Sequence, residues 1–302
     1  MVLKQEKNKI TFIVDTLCSI GFEHKGASFA VHRLAYEIAS RGHNVYVFNP
    51  PLYPHENINV IPTNKIERED NWWGEFYWEP FSYNIENTVS IYTQITWGNP
   101  FGTKYICRWI LHDYDESQWD TYGEDDLIYN YGTFKIPENV NQNPLTIFDY
   151  KLDIYKNLNS DRKGFCYIIH KFTPEWGYQF LENFGAKNLT NLMFDGDFHK
   201  LAEEFNKFEF LITFDSKSYI TTAATLCGCK VIILNPEQDK TPFQYRLENP
   251  IQMCGVSYGW DDLKWADKTI DLSRSNIEYL QKMDLKTVDN FLKSWELKLI
   301  GR

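Results

Sequence analysis

The stretch ITFIVDTLCSIGFEHKGASFAVHRLAYEIASRGHNVYVF, residues 10–48, decides the fold of this chain. Residues 10–14 are a short β-branched run, typical of a strand buried on both faces of a parallel sheet. Apolar residues then recur at intervals of three and four over residues 27–38, which predicts a helix that ends at Gly42. Residues 44–48 predict a second strand. A strand, loop, helix and strand in this order predict a βαβ unit.

The same alternation continues along the rest of the chain. In the first half, five more short apolar runs predict strands at 58–61, 89–92, 107–111, 127–131 and 145–148. In the second half, strands are predicted at 165–169, 191–194, 210–214 and 231–234, and helices at 175–184, 197–205 and 218–227. Two βαβ series in one chain predict an α/β protein with two Rossmann-like, doubly wound domains that face each other across a cleft.

The polar stretch YKNLNSDRK, residues 155–163, predicts the domain boundary. We therefore expect an N-terminal domain over residues 1–158 and a C-terminal domain over residues 159–302. An apolar stripe over residues 288–299 predicts a last helix, which in folds of this kind often crosses back to the first domain.

Composition excludes several classes of function. The chain has 302 residues and a formal net charge of −10, with no Lys/Arg-rich run, so we expect no nucleic-acid partner. It contains no run of 18 apolar residues and no signal-peptide pattern at its start, which predicts a soluble, cytoplasmic protein. The six cysteines form no C-x-x-C pair and are expected to be reduced and buried.

An unusual concentration of aromatic residues lies in NWWGEFYWEPFSY, residues 71–83. Sugar rings stack well on aromatic faces, so an acceptor-binding surface is one interpretation. An aromatic loop that packs on its own domain is the alternative, and it is favoured.

Three segments resemble glycosyltransferases with two Rossmann-like domains, the GT-B type. Residues 25–48 resemble the N-terminal signature, in which a glycine-bearing loop precedes a helix ending in an R-G-H-x-V turn. HKFTPEWG, residues 170–177, resembles the G-R-L-x-P-E-K-G turn. Residues 214–234 resemble the donor-site helix and the strand after it. Residues 97–131 and 254–269 are also similar to bacterial and viral polysaccharide-type transferases. The resemblance implies that the C-terminal domain binds a nucleotide-sugar donor and that the N-terminal domain binds the acceptor.

The turn after the predicted strand 210–214 is the main candidate for donor binding. The hydroxyls of Ser216, Ser218 and Tyr219, with the backbone amides of a helix N-terminus, are suited to hold a phosphate or a sugar, and Thr222 lies one turn further on. Plain capping of the helix by Asp215 or Ser218 is the alternative.

Retaining transferases of the family-four kind carry two glutamates eight positions apart in this region. Asp215 takes the first position, which the resemblance places near the transferring sugar. Ala223 takes the second position, so the residue that usually grips the ribose is missing. This departure leaves the stereochemistry of transfer open.

The resemblance adds a cationic group to the donor site. Lys171 matches the arginine of the family turn, with His170 beside it, and a cation there would neutralise the diphosphate leaving group. Trp176 replaces the second family cation, and a simple surface lysine at 171 is the alternative. Gly26 belongs to the loop that is expected to approach the donor phosphate.

Candidates in the N-terminal domain follow two predicted strands. His112 and Asp113 come directly after strand CRWIL and are candidates for a catalytic base. Trp97 and Asn99 follow strand VSIYT, where they either line the acceptor side or form a simple turn.

We expect no metal ion and no cofactor. Asp195-Gly196-Asp197 is the closest match to a metal-binding D-x-D motif, and Asp197 fits better as a helix cap. The sequence thus favours a metal-independent glycosyltransferase that acts on a glycan or lipid-linked acceptor, and peripheral contact with a membrane is left open. An inactive glycan-binding module and another nucleotide-using enzyme on Rossmann-like domains are the alternatives.

Overall fold

The computed structural model describes residues 9–16, 26–48, 50–61, 63–68, 71–78, 83–112, 116–132, 134, 136, 140, 142–169, 173–216, 218–234 and 240–300. The chain divides into two compact units. The first unit contains Met1–Asp149 and Met283–Arg302, and the second contains Tyr150–Lys282.

The first unit is built on a parallel sheet of seven strands. In chain order the elements of this unit are β1 (Thr11–Val14), α1 (Gly26–Ser40), β2 (Asn44–Phe48), β3 (Ile58–Ile61), β4 (Thr63–Arg68), β5 (Asn71–Trp78), β6 (Thr88–Thr93), β7 (Tyr105–Ile110), α2 (Glu116–Trp119), β8 (Leu127–Asn130) and β9 (Gln142–Pro144). The sheet order is β3-β2-β1-β6-β7-β8-β9, and β4 and β5 form a separate antiparallel pair. The chain therefore reverses direction across the sheet between β1 and β6.

The second unit is built on a parallel sheet of five strands. Its elements are β10 (Phe165–Tyr167), α3 (Glu175–Asn183), β11 (Lys187–Asn188), α4 (Thr190–Phe194), α5 (Phe198–Phe205), β12 (Phe210–Thr213), α6 (Tyr219–Leu226), β13 (Lys230–Ile233), α7 (Pro242–Glu248), β14 (Val256–Tyr258), α8 (Leu263–Thr269) and α9 (Ser273–Ile300). The sheet order is β11-β10-β12-β13-β14. The reversal point of this sheet lies between β10 and β12.

Two doubly wound parallel sheets confirm the predicted α/β class. Helix α9 begins in the second unit, and its residues from Met283 belong to the first. Val288, Phe291, Leu292 and Trp295 lie on one face of α9 and are buried in the core formed by α1 and the seven-stranded sheet. The stripe seen in the sequence is thus the part of α9 that closes the first core.

Two predicted strands are wrong in detail. Residues 145–148 follow β9 and form no strand, because Trp109 Nε1 donates to the Leu145 carbonyl at 2.8 Å and Thr146 N donates to the Thr287 hydroxyl at 2.9 Å. Residues 191–194 belong to the short helix α4, which begins where Thr190 N donates to Asn188 Oδ1 at 2.9 Å. Side chains thus occupy groups that a sheet ladder would use.

The segment expected to be a linker packs on the second unit. Tyr155 is buried, Asn206 Nδ2 donates to the Lys156 carbonyl at 2.9 Å, and Arg162 Nη2 donates to the Cys227 carbonyl at 2.6 Å. The division therefore falls between Asp149 and Tyr150, before the polar stretch that suggested a boundary at 158/159.

Five of the six cysteines lie in the described ranges, and all five are free and buried. Burial raises the pKa of Cys227 to about 12, so this thiol stays protonated and unreactive at neutral pH. No described helix is long and apolar enough to cross a membrane.

Candidate functional site

The reversal point of the second sheet is where ligands of doubly wound folds bind. In such sheets the ligand crevice lies outside the carboxyl ends of the strands, between the two strands where the chain reverses. Strands β10 and β12 are these neighbours, paired in parallel from Phe165↔Phe210 to Tyr167↔Ile212. The segments that follow them contain every donor-site residue of the second domain predicted above.

Asp215 and Ser218 play different parts in the turn after β12. Ser218 is the N-cap of α6, and its hydroxyl accepts a hydrogen bond from Ile220 N at 3.3 Å. The Asp215 amide donates to the Thr213 hydroxyl at 3.2 Å, and the residue is 3% exposed. The capping role that the sequence left open thus belongs to Ser218. The carboxylate of Asp215 is not needed as the cap of α6.

The other hydroxyl groups predicted here lie in or next to the first turn of α6. Ser216 is half-buried in the loop. Burial raises the pKa of the Tyr219 phenol, which therefore remains a neutral group at physiological pH. Thr222 is 3% exposed, and its hydroxyl has no hydrogen-bond partner among the described residues. A buried hydroxyl in this state is rare and calls for an explanation.

The P-E-W-G turn lies directly against the end of β12. A Cβ atom on Gly177 would lie 2.8 Å from Cζ of Phe214, so any other residue would require α3 or the Phe214 ring to move. The rings of Trp176 and Phe214 also meet edge to face, with centroids 5.4 Å apart. Because Asp215 follows Phe214, the start of α3 and the Asp215 turn are neighbours at the same sheet edge.

A chain of buried hydrogen bonds supports the α6 turn from below. Tyr258 OH donates to Gln252 Oε1 at 3.0 Å, and Gln252 Nε2 donates to the Thr221 hydroxyl at 3.1 Å. Thr221 in turn donates to the Ser218 carbonyl at 2.7 Å. Gln252 is fully buried and links the end of β14 to the cap of α6. This relay fixes the orientation of the candidate donor turn.

In the first unit, the connection from β6 to β7 contains Trp97 and Asn99. Trp97 is 55% exposed. The Asn99 side chain is used inside the connection: it accepts from Tyr92 OH at 2.9 Å and donates to the Thr103 carbonyl at 2.8 Å. Trp97 is therefore the member of this pair with a large surface open to a ligand.

A buried cation lies beneath Trp97. Arg108 of β7 is 1% exposed and forms an ion pair with Asp126 at 2.7 Å. Its other nitrogens donate to the carbonyls of Thr96 and Gly98, the two neighbours of Trp97. The sequence analysis missed Arg108. Its signal was a charged residue inside the apolar run CRWIL.

The remaining first-unit candidates are placed as follows. His112 is exposed just beyond β7, and its ring stacks on Phe134 with centroids 5.8 Å apart. Leu111 N donates to Gln94 Oε1 at 3.0 Å, which ties this end of β7 to the end of β6. Gly26 is the first residue of α1 and contacts nothing closely on the side of its absent Cβ, where the nearest atom is 3.7 Å away.

Three further candidates, Asp113, His170 and Lys171, lie outside the described residues. The possible D-x-D motif, Asp195-Gly196-Asp197, lies among the described residues. Asp197 is the N-cap of α5 and accepts from Lys200 N at 3.1 Å, as expected for a helix cap. Within the described ranges, no group of three or more His, Cys, Asp or Glu side chains is placed to hold a metal ion.

No family model matches this chain, and no curated protein matches it. Solved structures that resemble it include CalG4, the calicheamicin glycosyltransferase, with 8% identity, a TM-score of 0.41, and coverage of 96% of this chain and 98% of that one. WaaG, a glycosyltransferase involved in lipopolysaccharide biosynthesis, has 10% identity, a TM-score of 0.38, and coverage of 95% and 99%. At these low values, a function for the chain has to be argued from its own residues.

Proposed function

We propose that the chain is a glycosyltransferase that moves a sugar from a nucleoside-diphosphate donor to a glycan or lipid-linked acceptor, without a metal ion. The observation that carries the proposal is the packing of the start of α3 against Phe214. It supports the proposal because the described end of the HKFTPEWG motif, residues 173–177, lies beside the Asp215 turn at the reversal point of one parallel sheet. This is the position at which doubly wound folds bind nucleotides.

The roles of the donor residues follow from their positions. The N-termini of α3 and α6 present amides toward an anion, and Ser216 and Thr222 supply hydroxyls near them. Asp215 lies close to the transferring sugar and interacts with the charge that develops there. Lys171 neutralises the departing diphosphate. The acceptor binds to the first unit, with Trp97 as a contact and His112 or Asp113 as the base.

Nucleotide binding is the first test. Thermal unfolding is measured with UDP, GDP, CMP and TDP and with their sugars. A ligand at a hundred times its Kd stabilises the folded state by about 2.7 kcal/mol. We expect one of these nucleotides to raise the Tm, and we expect the matching nucleotide-sugar to release free nucleoside diphosphate. Absence of both effects for every compound would exclude the proposal. Sugar binding without nucleotide binding would instead identify a glycan-binding module.

The second test assigns the residues. Asp215→Asn is expected to lower kcat by about a hundredfold while the cap of α6 is kept, because Ser218 and not Asp215 caps this helix. Lys171→Ala is expected to lower kcat more than it weakens nucleoside binding, since its contact strengthens as the diphosphate leaves. Asp161→Asn is the matched control, because this carboxylate is 83% exposed and lies on the surface. Unchanged kcat in both site variants would remove the donor-site assignment.

A further inference from the structure

The connection between β6 and β7 combines an exposed indole with a buried, charged support. Trp97 exposes 55% of its surface, whereas Arg108, directly involved in holding the segment, exposes 1%. A solvent-exposed tryptophan that only fills a surface loop does not need a buried ion pair to hold the backbone on either side of it. The contrast between the two residues indicates that the backbone at residue 97 is held in one conformation for a purpose other than core packing.

Arg108 and the residues around it hold the backbone on both sides of Trp97. Arg108 donates to the carbonyls of Thr96 and Gly98. The Thr96 hydroxyl donates to the carboxylate of Asp15, the residue that follows β1, and Gly98 N donates to the Thr121 hydroxyl at 3.3 Å. The two peptide units that flank Trp97 are therefore fixed from three directions.

Arg108 is itself held in place on all sides. Its guanidinium lies between the rings of Tyr92 and Tyr122, 4.9 and 4.5 Å from their centroids, and pairs with Asp126. Burial of ionised groups seldom adds net stability, because desolvation offsets their attraction. A network of this kind is better explained by the geometry it imposes than by the stability it adds.

We infer that Arg108 is a positioning residue that holds Trp97 as a rigid platform on which a pyranose ring of the acceptor stacks. The inference rests on the proposed function and specifies how the acceptor is bound. With the backbone on both sides of Trp97 fixed in advance, only the two side-chain torsions of the indole remain to be ordered when a ring stacks on it.

The charge around the indole favours a neutral sugar ring over the donor's base. The network contains two carboxylates, Asp15 and Asp126, and one guanidinium, that of Arg108. Asp126 is paired with Arg108, and the carboxylate of Asp15 beside Thr96 disfavours the phosphates that accompany every nucleotide. It leaves the binding of an uncharged, hydroxyl-rich ring unaffected.

The test measures sugar binding separately from donor chemistry. Maltose, cellobiose and lactose are used as probes and as trial acceptors, with isothermal titration for binding. Transfer to the sugar and transfer to water are measured with the donor found by the nucleotide panel. We expect Trp97→Ala to weaken the binding of whichever disaccharide the wild type binds, and to raise the KM for that sugar at least tenfold. Donor hydrolysis and nucleotide-dependent stabilisation should stay unchanged. Tyr279→Ala, which removes an aromatic side chain 60% exposed on α9, is the control and should change neither.

The positioning role has its own variants. Arg108→Lys keeps the charge beside Asp126 but lacks the planar fork whose separate nitrogens reach both carbonyls and the carboxylate at once, so we expect a three- to tenfold rise in sugar KM at nearly constant kcat. Thr96→Val loosens the same segment without touching the buried ion pair, and it covers the case in which Arg108→Lys fails to fold. A sugar KM of Trp97→Ala equal to that of the wild type, or failure of all three sugars to bind the wild type, would refute the proposal that a sugar ring stacks on Trp97. Sugar KM unchanged in both Arg108→Lys and Thr96→Val would limit Arg108 to a structural role. Failure of the nucleotide panel alone would reject the proposed function and leave the sugar titration interpretable.

Discussion

Replacement of Gly177 by alanine perturbs the contact on which the donor site depends. The new Cβ would lie 2.8 Å from Cζ and 3.0 Å from Cε2 of Phe214, and 3.2 Å from Cδ of Pro174. Carbon atoms in contact are normally about 3.5–4.0 Å apart. Phe214 is 5% exposed, so its ring has little space into which it can move. Either α3 shifts away from β12 or the Phe214 ring is displaced.

The size of the effect follows from two opposing contributions. Overpacking of a filled interior costs about 1–3 kcal/mol. Alanine in a helix is favoured over glycine by about 1 kcal/mol, and Gly177 does not have the positive φ that would oppose alanine. The net expectation is a destabilisation of about 0–2 kcal/mol. For a unit of this size that corresponds to a decrease in Tm of up to roughly 8 °C.

Gly26→Ala is the matched control, because Gly26 also lies in the first turn of a helix but has no atom within 3.7 Å of the added Cβ. Its Tm should be unchanged or slightly higher. Both variants are compared by calorimetry, and the nucleotide-dependent rise in Tm is measured for Gly177→Ala, which should be smaller than in the wild type because Phe214 precedes Asp215. A Gly177→Ala protein as stable as Gly26→Ala and with full nucleotide stabilisation would refute the close packing of α3 on Phe214.

Three further predictions concern the hydrogen bonds that support the donor turn, the change of stability at acid pH, and the effect of metal ions on activity. Gln252→Leu should destabilise the fold by about 1–3 kcal/mol, since it removes the acceptor of the buried Tyr258 hydroxyl and the hydrogen bond that Gln252 donates to Thr221, and should raise the nucleotide Kd, measured by titration. Burial opposes ionisation of Glu204, but hydrogen bonds from two lysines outweigh it and lower the pKa of this carboxyl. The Tm difference between wild type and Glu204→Gln should therefore be present at pH 6–7 and shrink as the pH falls below about 4.3, the ordinary pKa of a glutamate; a constant difference would contradict the ion-pair explanation. Transfer activity should survive EDTA, and loss reversed by manganese would instead assign Asp195 and Asp197 as ligands.

Much of the fold could be predicted because periodicity reports local burial. The strand 58–61 and the strand 44–48 have the predicted bounds, and the apolar stripe of α9 lies in the first core. The misplaced strand at 145–148 has a different origin. Its residues are apolar and mostly buried, yet Trp109 and Thr287 take up their backbone groups from distant parts of the sequence. Periodicity cannot reveal partners that only the tertiary fold supplies.

The candidate site was predictable to a different degree in each unit. The Asp215 turn was found because it follows a strand and starts a helix, a pattern that is entirely local. The choice of Ser218 over Asp215 as the cap depends on backbone angles that both residue types accept. Arg108 and Gln252 act through hydrogen bonds to residues that are distant in the sequence, and neither belongs to a motif.

Charge places a final constraint on the donor turn. The described part of that turn, residues 213–216 and 218–222, contains one ionisable carboxylate, Asp215, and no cation. A diphosphate would add further negative charge at the same edge, and like charges in a partly buried site repel strongly. Helix N-termini offset part of this repulsion, each equivalent to roughly half a positive charge. The sequence offers two cations for the balance: Lys217, two residues after Asp215, and Lys171, after the neighbouring strand β10. A turn built around Asp215 therefore needs a cation beside it to bind a nucleoside diphosphate, and the kcat of Lys171→Ala tests whether Lys171 is that cation.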